Sequence, residues 1–371
     1  MNLTSVVIAS ILKPIDDPRM FEKFGNSLSQ TNKYEVNIIG FEAKKYKKNE
    51  NIRFYPVFNF NRLSLKRLFA PLIYAKILFK VKPSITIINT PEILLVTVLY
   101  KLIFKGKVIY DIRENYFRNI VYNKNYIWGV KHLLGILVRL KELACYPFID
   151  HVFYSDEGYQ REMPIWNDKS TLIRNTYIDA WPIVEMEYTR QKGMKLLYSG
   201  TIAENYGIFE VIEFADQMYQ VNSNISLIII GYSANQKIVK KVLEKIKGKN
   251  YIKLIGGKKP VPHKLIINAI RKANFGIINY KINLSTANCF PTKIYEYMAN
   301  KLPIIIQDYM PWSSFCLRFN AGIEISFDNA DHNNIVTLLQ NQEFYKNGLP
   351  DQIYWKNDEK KLLNIVQNTL I

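Results

Sequence analysis

What limits this chain most is a rhythm: short apolar runs, each followed by a stretch of helical length, repeated from end to end. The first half gives "TSVVIASIL", "EVNIIG", "SITIINT", "KVIYDI", "HVFYS" and "TLIRN", with helical stretches at 92–104 and 128–147. The second half gives "KLLYSG", "ISLIIIG", "YIKLIG", "FGIINY", "LPIIIQD" and "GIEISF", with helices at 207–220, 234–247, 263–272 and 291–300. Strands that are apolar on both faces must be covered on both faces, and a helix between successive strands makes them parallel. The expected class is α/β, with two Rossmann-like, doubly wound parallel-sheet domains. At 371 residues the chain has the length for two such domains. Their expected limits are 1–178 and 190–352. The seam is read in the aperiodic "NTYIDAWPIVEMEYTRQKG" (175–193), and a last helix in 353–371 is expected to pack back on the first domain.

Open parallel sheets bind ligands beyond the carboxyl ends of their strands, and two of them face to face would make a cleft. Functional residues are therefore sought just after strands. The net charge of +18 favours anionic partners. The excess is sharpest in 51–91, which holds seven basic residues and no acidic one. Pro71 suits the first turn of a helix there, and Lys76 and Lys80 fall on one of its faces. Segment 62–82 thus reads either as the solvated side of a core helix or as a patch resting on an anionic membrane. Nucleic acid is not expected, because the aromatics are spread through apolar strands instead of one basic stripe.

The run "ILLVTVLYKLIF" (93–104) contains a lysine and falls short of the ~20 residues of a membrane span. The first lysine, Lys13, follows the N-terminal apolar run instead of preceding it, so that run is read as a buried strand and not as a signal peptide. The expected location is cytoplasmic, or peripheral on the inner face of the cell membrane. Cys145, Cys289 and Cys316 are widely spaced and read as buried small hydrophobes in a reducing compartment. His132, His151, His263 and His332 are scattered and read as structural, and no metal site or cofactor is expected.

The richest stretch is "CFPTKIYEYMANKLPIII" (289–306). Pro291 suits a helix start. First-turn amides and Lys293 would attract an anion, while Glu296, three residues on, shares a face with Lys293. A carboxylate can accept from the two hydroxyls of a ribose, so the group fits a nucleoside diphosphate. The same spacing also describes an ordinary surface Lys–Glu pair worth a few tenths of a kcal/mol. Ile294 and Met298 point to a different face and should enter the core. Upstream, "LLYSGTIAENYGI", "LIIIGYS" and "IKLIGGKKP" each run a strand into glycine, where backbone can approach a phosphate.

The ordered series "YSGTIAENYGI", "LIIIGYS", "IKLIGG", "ANFGIINY" and "PTKIYEYMANKLPII" resembles the nucleotide-sugar-binding half of a GT-B-fold glycosyltransferase, similar to glycosyltransferase family 4, group 1. "DDPRMFEKFGNSLSQTNKYEVNIIG", "KVIYDIREN" and "LIRNTYID" resemble the acceptor side of the same family. The resemblance implies a retaining, metal-independent transfer of a sugar from a nucleoside-diphosphate donor to an acceptor hydroxyl; the basic, acid-free stretch after residue 51 adds the expectation of a lipid-linked glycan of surface polysaccharide synthesis as acceptor. It implies that Glu296 holds the donor ribose, and that Lys293, Pro291 and Thr292 hold the diphosphate with Gly200 and Thr201. Tyr232, Gly256 and Gly257 would lie near the nucleobase. Arg113 would face the donor sugar and act in catalysis with Lys293 and Glu296, while Asp17, Arg19 and Glu114 would be near the acceptor.

The chain departs from the family pattern at three places. Asn288 stands eight positions before Glu296 in place of the first of two glutamates, Thr201 and Tyr206 replace a basic pair, and Arg113 replaces a histidine. An ion pair of Arg113 with Asp111 or Glu114 is the plain alternative to its catalytic role. Two other readings of the whole chain stay open: a nucleotide-sugar epimerase of this architecture, and a non-catalytic two-lobed ligand-binding protein.

Overall fold

The computed structural model describes residues 3–43, 50–60, 64–122, 128–178, 193–283 and 286–371. The seam expected at 175–193 therefore lies mostly outside the described residues, as do positions 62 and 63 of the basic segment. The chain divides into two compact units, Met1–Ile178 with Trp355–Ile371, and Asp179–Tyr354.

The first unit is built on a seven-stranded parallel sheet of β1 (Thr4–Pro14), β2 (Tyr34–Phe41), β3 (Ile52–Phe58), β4 (Ile85–Ile88), β5 (Lys107–Ile112), β6 (His151–Tyr154) and β7 (Ser170–Leu172). Their spatial order is β3-β2-β1-β4-β5-β6-β7. The two-residue period of a strand sends Val7, Ala9 and Ile11 of β1 into one core and Val6 and Ile8 into the other. Helices Ala70–Val81, Leu94–Phe104 and Trp128–Cys145 cover the first core. The second is covered by the π-type helix Pro18–Gly25, the turn Asn26–Ser29 and the C-terminal helix Trp355–Leu370. That last helix is fastened by Trp355 N–H to the Tyr177 carbonyl (2.7 Å) and by the Trp355 indole N–H to Ser27 Oγ (2.9 Å).

Several elements escape the sequence reading, among them the helices Met310–Arg318 and His332–Asn341, and two others have a plain physical reason. Strand β3 contains Pro56, which cannot donate to a ladder, and the strand survives because it lies at the sheet edge. Helix Pro18–Gly25 follows Asp17, whose side chain caps it by accepting from the amides of Arg19 and Met20.

The second unit has six parallel strands: β8 (Met194–Thr201), β9 (Ile225–Tyr232), β10 (Ile252–Gly257), β11 (Phe275–Ile278), β12 (Ile304–Gln307) and β13 (Gly322–Ile325). Their order is β10-β9-β8-β11-β12-β13. In both sheets the chain starts centrally, winds one way, then returns to the other side of its first strand. The winding reverses between β1 and β4 and between β8 and β11, which is where a crevice for ligand opens at the carboxyl ends. Among the described residues no helix is long and apolar enough to cross a membrane.

Candidate active site

In the second unit the strand ends converge on one cation. Register places Gly200 of β8 opposite Gly231 of β9, and Gly231 opposite Gly256 of β10, a row of glycines across three neighbouring strands. A Cβ on Gly231 would stand 1.7 Å from the Gly200 carbonyl oxygen, so no larger residue fits between these strands. Gly200 itself has φ +92°, and a Cβ there would meet Lys293 Cε at 2.8 Å and Nζ at 3.4 Å. Thr201, Tyr232 and Gly257 continue the same register one step on, with Thr201 and Tyr232 exposed.

Lys293 opens the helix Lys293–Ala299 and is only 8% exposed. Its ammonium lies 4.5 Å from the ring centre of Tyr198, in β8, and 5.5 Å from that of Tyr280, just after β11. It therefore sits at the point where the winding of this sheet reverses. Nζ has no hydrogen-bond partner within the protein, alone in this respect among buried ammonium and guanidinium groups of the described residues. Burial lowers its pKa from 10.5 to about 8, an effect that the charge of Glu296 partly opposes. Cation–π attraction, about 0.5–2 kcal/mol, is a partial substitute for lost hydration. An anion would supply the rest.

The helix is held in place from both ends. Tyr297 OH and Ser199 Oγ are 2.9 Å apart, and Ile294 and Met298 are fully buried as expected. Three readings are revised here. The helix begins at Lys293 and not at Pro291, whose carbonyl accepts from Ile294 N–H (3.0 Å), so with seven residues its dipole is slight and the lysine itself carries the positive field. The alternative of an ordinary surface Lys–Glu pair is set aside: Lys293 turns inward, whereas the Glu296 side chain keeps 27% exposure. His263, read as structural, is also part of the site's surroundings: its Nε2 is 3.0 Å from Glu296 Oε1. Pro291 is buried and Thr292 exposed. Half-buried Asn288 lies in the turn before them, a turn held by Tyr309 OH on the Ala287 carbonyl (3.0 Å) and the Trp312 indole on the Cys289 carbonyl (2.8 Å). Cys289 is itself half-buried, unlike Cys145 and Cys316.

In the first unit the corresponding edge is internally paired. Arg113 reaches Asp17 with both terminal nitrogens, at 2.9 and 3.2 Å, and not Asp111 or Glu114. Burial pushes the Asp17 carboxyl up, but Arg113, Lys13 and the Met20 amide together hold it below the usual range. Arg19 is fully buried, with Nη2 2.6 Å from Asp111 Oδ1, Nη1 2.8 Å from the Ile173 carbonyl, and its guanidinium 4.6 Å from the Phe24 ring centre. Its expected contact with an acceptor is thus replaced by a role in bracing Asp111 beneath the edge. Glu114 stays 40% exposed, near Lys13 (3.4 Å) and Asn119 (2.9 Å).

Tyr198, Tyr280 and His263 were not singled out in the sequence. The two tyrosines could have been, since Tyr198 lies within and Tyr280 just after the two strands that border the reversal point. His263 carries no such signal. Among the described residues no three His, Cys, Asp or Glu side chains gather as a metal site.

Residues 184–346 match the family described as Glycosyl transferases group 1. No curated protein matches the sequence. Among solved structures, sucrose-phosphate synthase (tll1590) from Thermosynechococcus elongatus superposes with a TM-score of 0.75 at 13% identity, covering 98% of each chain. Anabaena Alr3699/HepE, crystallised with UDP and glucose, gives 0.68 at 11% identity over 98% of this chain and 99% of that one. A UDP-forming trehalose-phosphate synthase from Burkholderia xenovorans gives 0.66 at 7% identity over the whole of both. Residues 184–346 thus match the group 1 glycosyl transferases, and over its whole length the chain has the GT-B fold of these structural relatives.

Proposed function

We propose that the second unit binds a nucleoside-diphosphate sugar at Lys293, and that the chain transfers the sugar, with retention of configuration, to a lipid-linked glycan in surface polysaccharide synthesis. The carrying observation is the unpartnered Lys293 ammonium beside Gly200 at the reversal of the sheet. The glycine row lets a diphosphate approach the strand-end backbone, and the ammonium meets its charge. Glu296, oriented by His263, accepts from the ribose hydroxyls, and Tyr232 with Gly256 and Gly257 borders the base. UDP is the first nucleotide to try, since it is named with the structural relatives.

In transfer, the bond between the anomeric carbon and the β-phosphate oxygen breaks, a bond to the acceptor oxygen forms, and the acceptor proton leaves with the departing phosphate. Lys293 stabilises the charge that develops on that phosphate, in a site too dry to screen it. This assigns to a lysine the charge neutralisation that a metal would otherwise give, and we propose a metal-independent reaction, carried out in the cytoplasm. Asp17, Arg113 and Glu114 form the acceptor edge of the first unit, where an incoming hydroxyl competes for Asp17.

The experiment is turnover of a panel of nucleotide sugars with and without glycan acceptor, together with donor binding by calorimetry. Nucleotide release that needs acceptor supports transfer, whereas donor conversion without acceptor supports epimerisation instead. Glu296→Ala is expected to weaken donor binding by about 1–3 kcal/mol. Unchanged binding would remove Glu296 from the site.

A further inference from the structure

We infer that the outer surface of the first unit's helical layer docks on an anionic phospholipid leaflet. Helices Ala70–Val81, Leu94–Phe104 and Trp128–Cys145 each bury one side in the same core, so their outward sides should be polar. They are not. On the middle helix the outward positions are Leu95, Leu99, Leu102 and Ile103, at 50–62% exposure. On the third, Leu133, Ile136, Leu137 and Leu140 are 50–60% exposed. Leading into the first, Leu65, Leu68, Phe69 and Leu72 are 61–78% exposed.

The middle helix packs against both others, with Phe79 of the first edge-on to its Phe104 at 5.5 Å, so these side chains join into one apolar surface. A surface of this kind marks an interaction site. Its charge selects the occupant. Lys66, Lys76, Lys80, Lys82 and Lys105 border it, all exposed. The two acids of these segments are withdrawn, Glu92 in an ion pair with Arg67 and Glu142 buried against Arg139. Lys82 and Lys105 cap the first and second helices, and with Lys107 they line a hollow of about 530 Å³ at that edge.

An apolar face bordered by exposed ammonium groups and lacking unpaired acid matches acyl chains beneath anionic headgroups. A second copy of this chain would oppose the same positive border to itself. The inference does not depend on the transfer reaction.

The test is sedimentation of the full chain with phosphatidylcholine vesicles and with mixed phosphatidylcholine–phosphatidylglycerol vesicles. Binding to the mixed vesicles is expected to be about tenfold or more the stronger, and to weaken with salt. The L99D/L137D variant should lose about tenfold or more in binding. K76E/K80E should shrink the preference for the anionic vesicles. Melting curves check that the variants are folded, and nucleotide binding by calorimetry, expected to be unchanged, reads the donor site separately. Sedimentation with neither vesicle, or L99D/L137D binding like the parent, would overturn the inference. So would a dimer in ultracentrifugation that L99D/L137D dissociates while vesicles stay unbound.

Discussion

Two cations are buried at the carboxyl edges of the two sheets, and they are treated in opposite ways. Arg19 in the first unit has Asp111, the Ile173 carbonyl and the Phe24 ring around it. Lys293 in the second has two tyrosine rings and, among the described residues, no acceptor. A buried ion that is fully paired is part of the scaffold. One left without a hydrogen bond costs stability, and folding alone gives no reason to keep it. The difference assigns the first edge a preset geometry and the second an unmet demand for negative charge.

The comparison breaks first at Arg19. Arg19→Met leaves Asp111 buried without its partner and should cost about 3–5 kcal/mol in urea unfolding. A small effect would mean that the pair is not structural. Lys293→Met should do the reverse and stabilise the ligand-free chain, by roughly 3 kcal/mol at neutral pH. The sign follows from the folded pKa of about 8 lying below the ordinary 10.5. Between these values the unfolded chain binds the extra proton, so wild-type stability climbs with pH through that window. The advantage of the variant is therefore full below pH 8 and fades as pH approaches the unfolded value. Thermal melts across that range check it.

Smaller effects sharpen the contrast. Gly231→Ala must push β8 and β9 apart at their ends and should cost about 1–3 kcal/mol while weakening nucleotide binding. Leu99→Asp, on the outward side of the first unit's helical layer, should change stability by no more than about 0.5 kcal/mol. A large loss there would show that this leucine is packed and not presented.

Most of the fold was legible because both sheets are wound from apolar runs and helices of unmistakable length. Strand β3 was not, since its proline disguises an edge strand. Helix Pro18–Gly25 was not, since its start rests on the side chain of Asp17. At the site, the glycines and the Lys293–Glu296 pair could be read from spacing, because strand ends position them. That Lys293 turns inward could not, because its direction is set by Tyr198 and Tyr280 from separate strands. Nor could the fate of Arg19, whose partner Asp111 is far along the chain and meets it only once β1 and β5 share a sheet.

The most direct test is calorimetric binding of UDP, GDP and ADP to the wild type and to Lys293→Met between pH 6 and pH 10, about two pH units either side of the expected titration. The account predicts that the best-bound diphosphate holds steady affinity up to about pH 8, then loses close to tenfold per pH unit, with proton uptake on binding near that pH. Lys293→Met should lose both the affinity and its pH dependence. Equal affinity in the two proteins, with one shared pH profile, would contradict it.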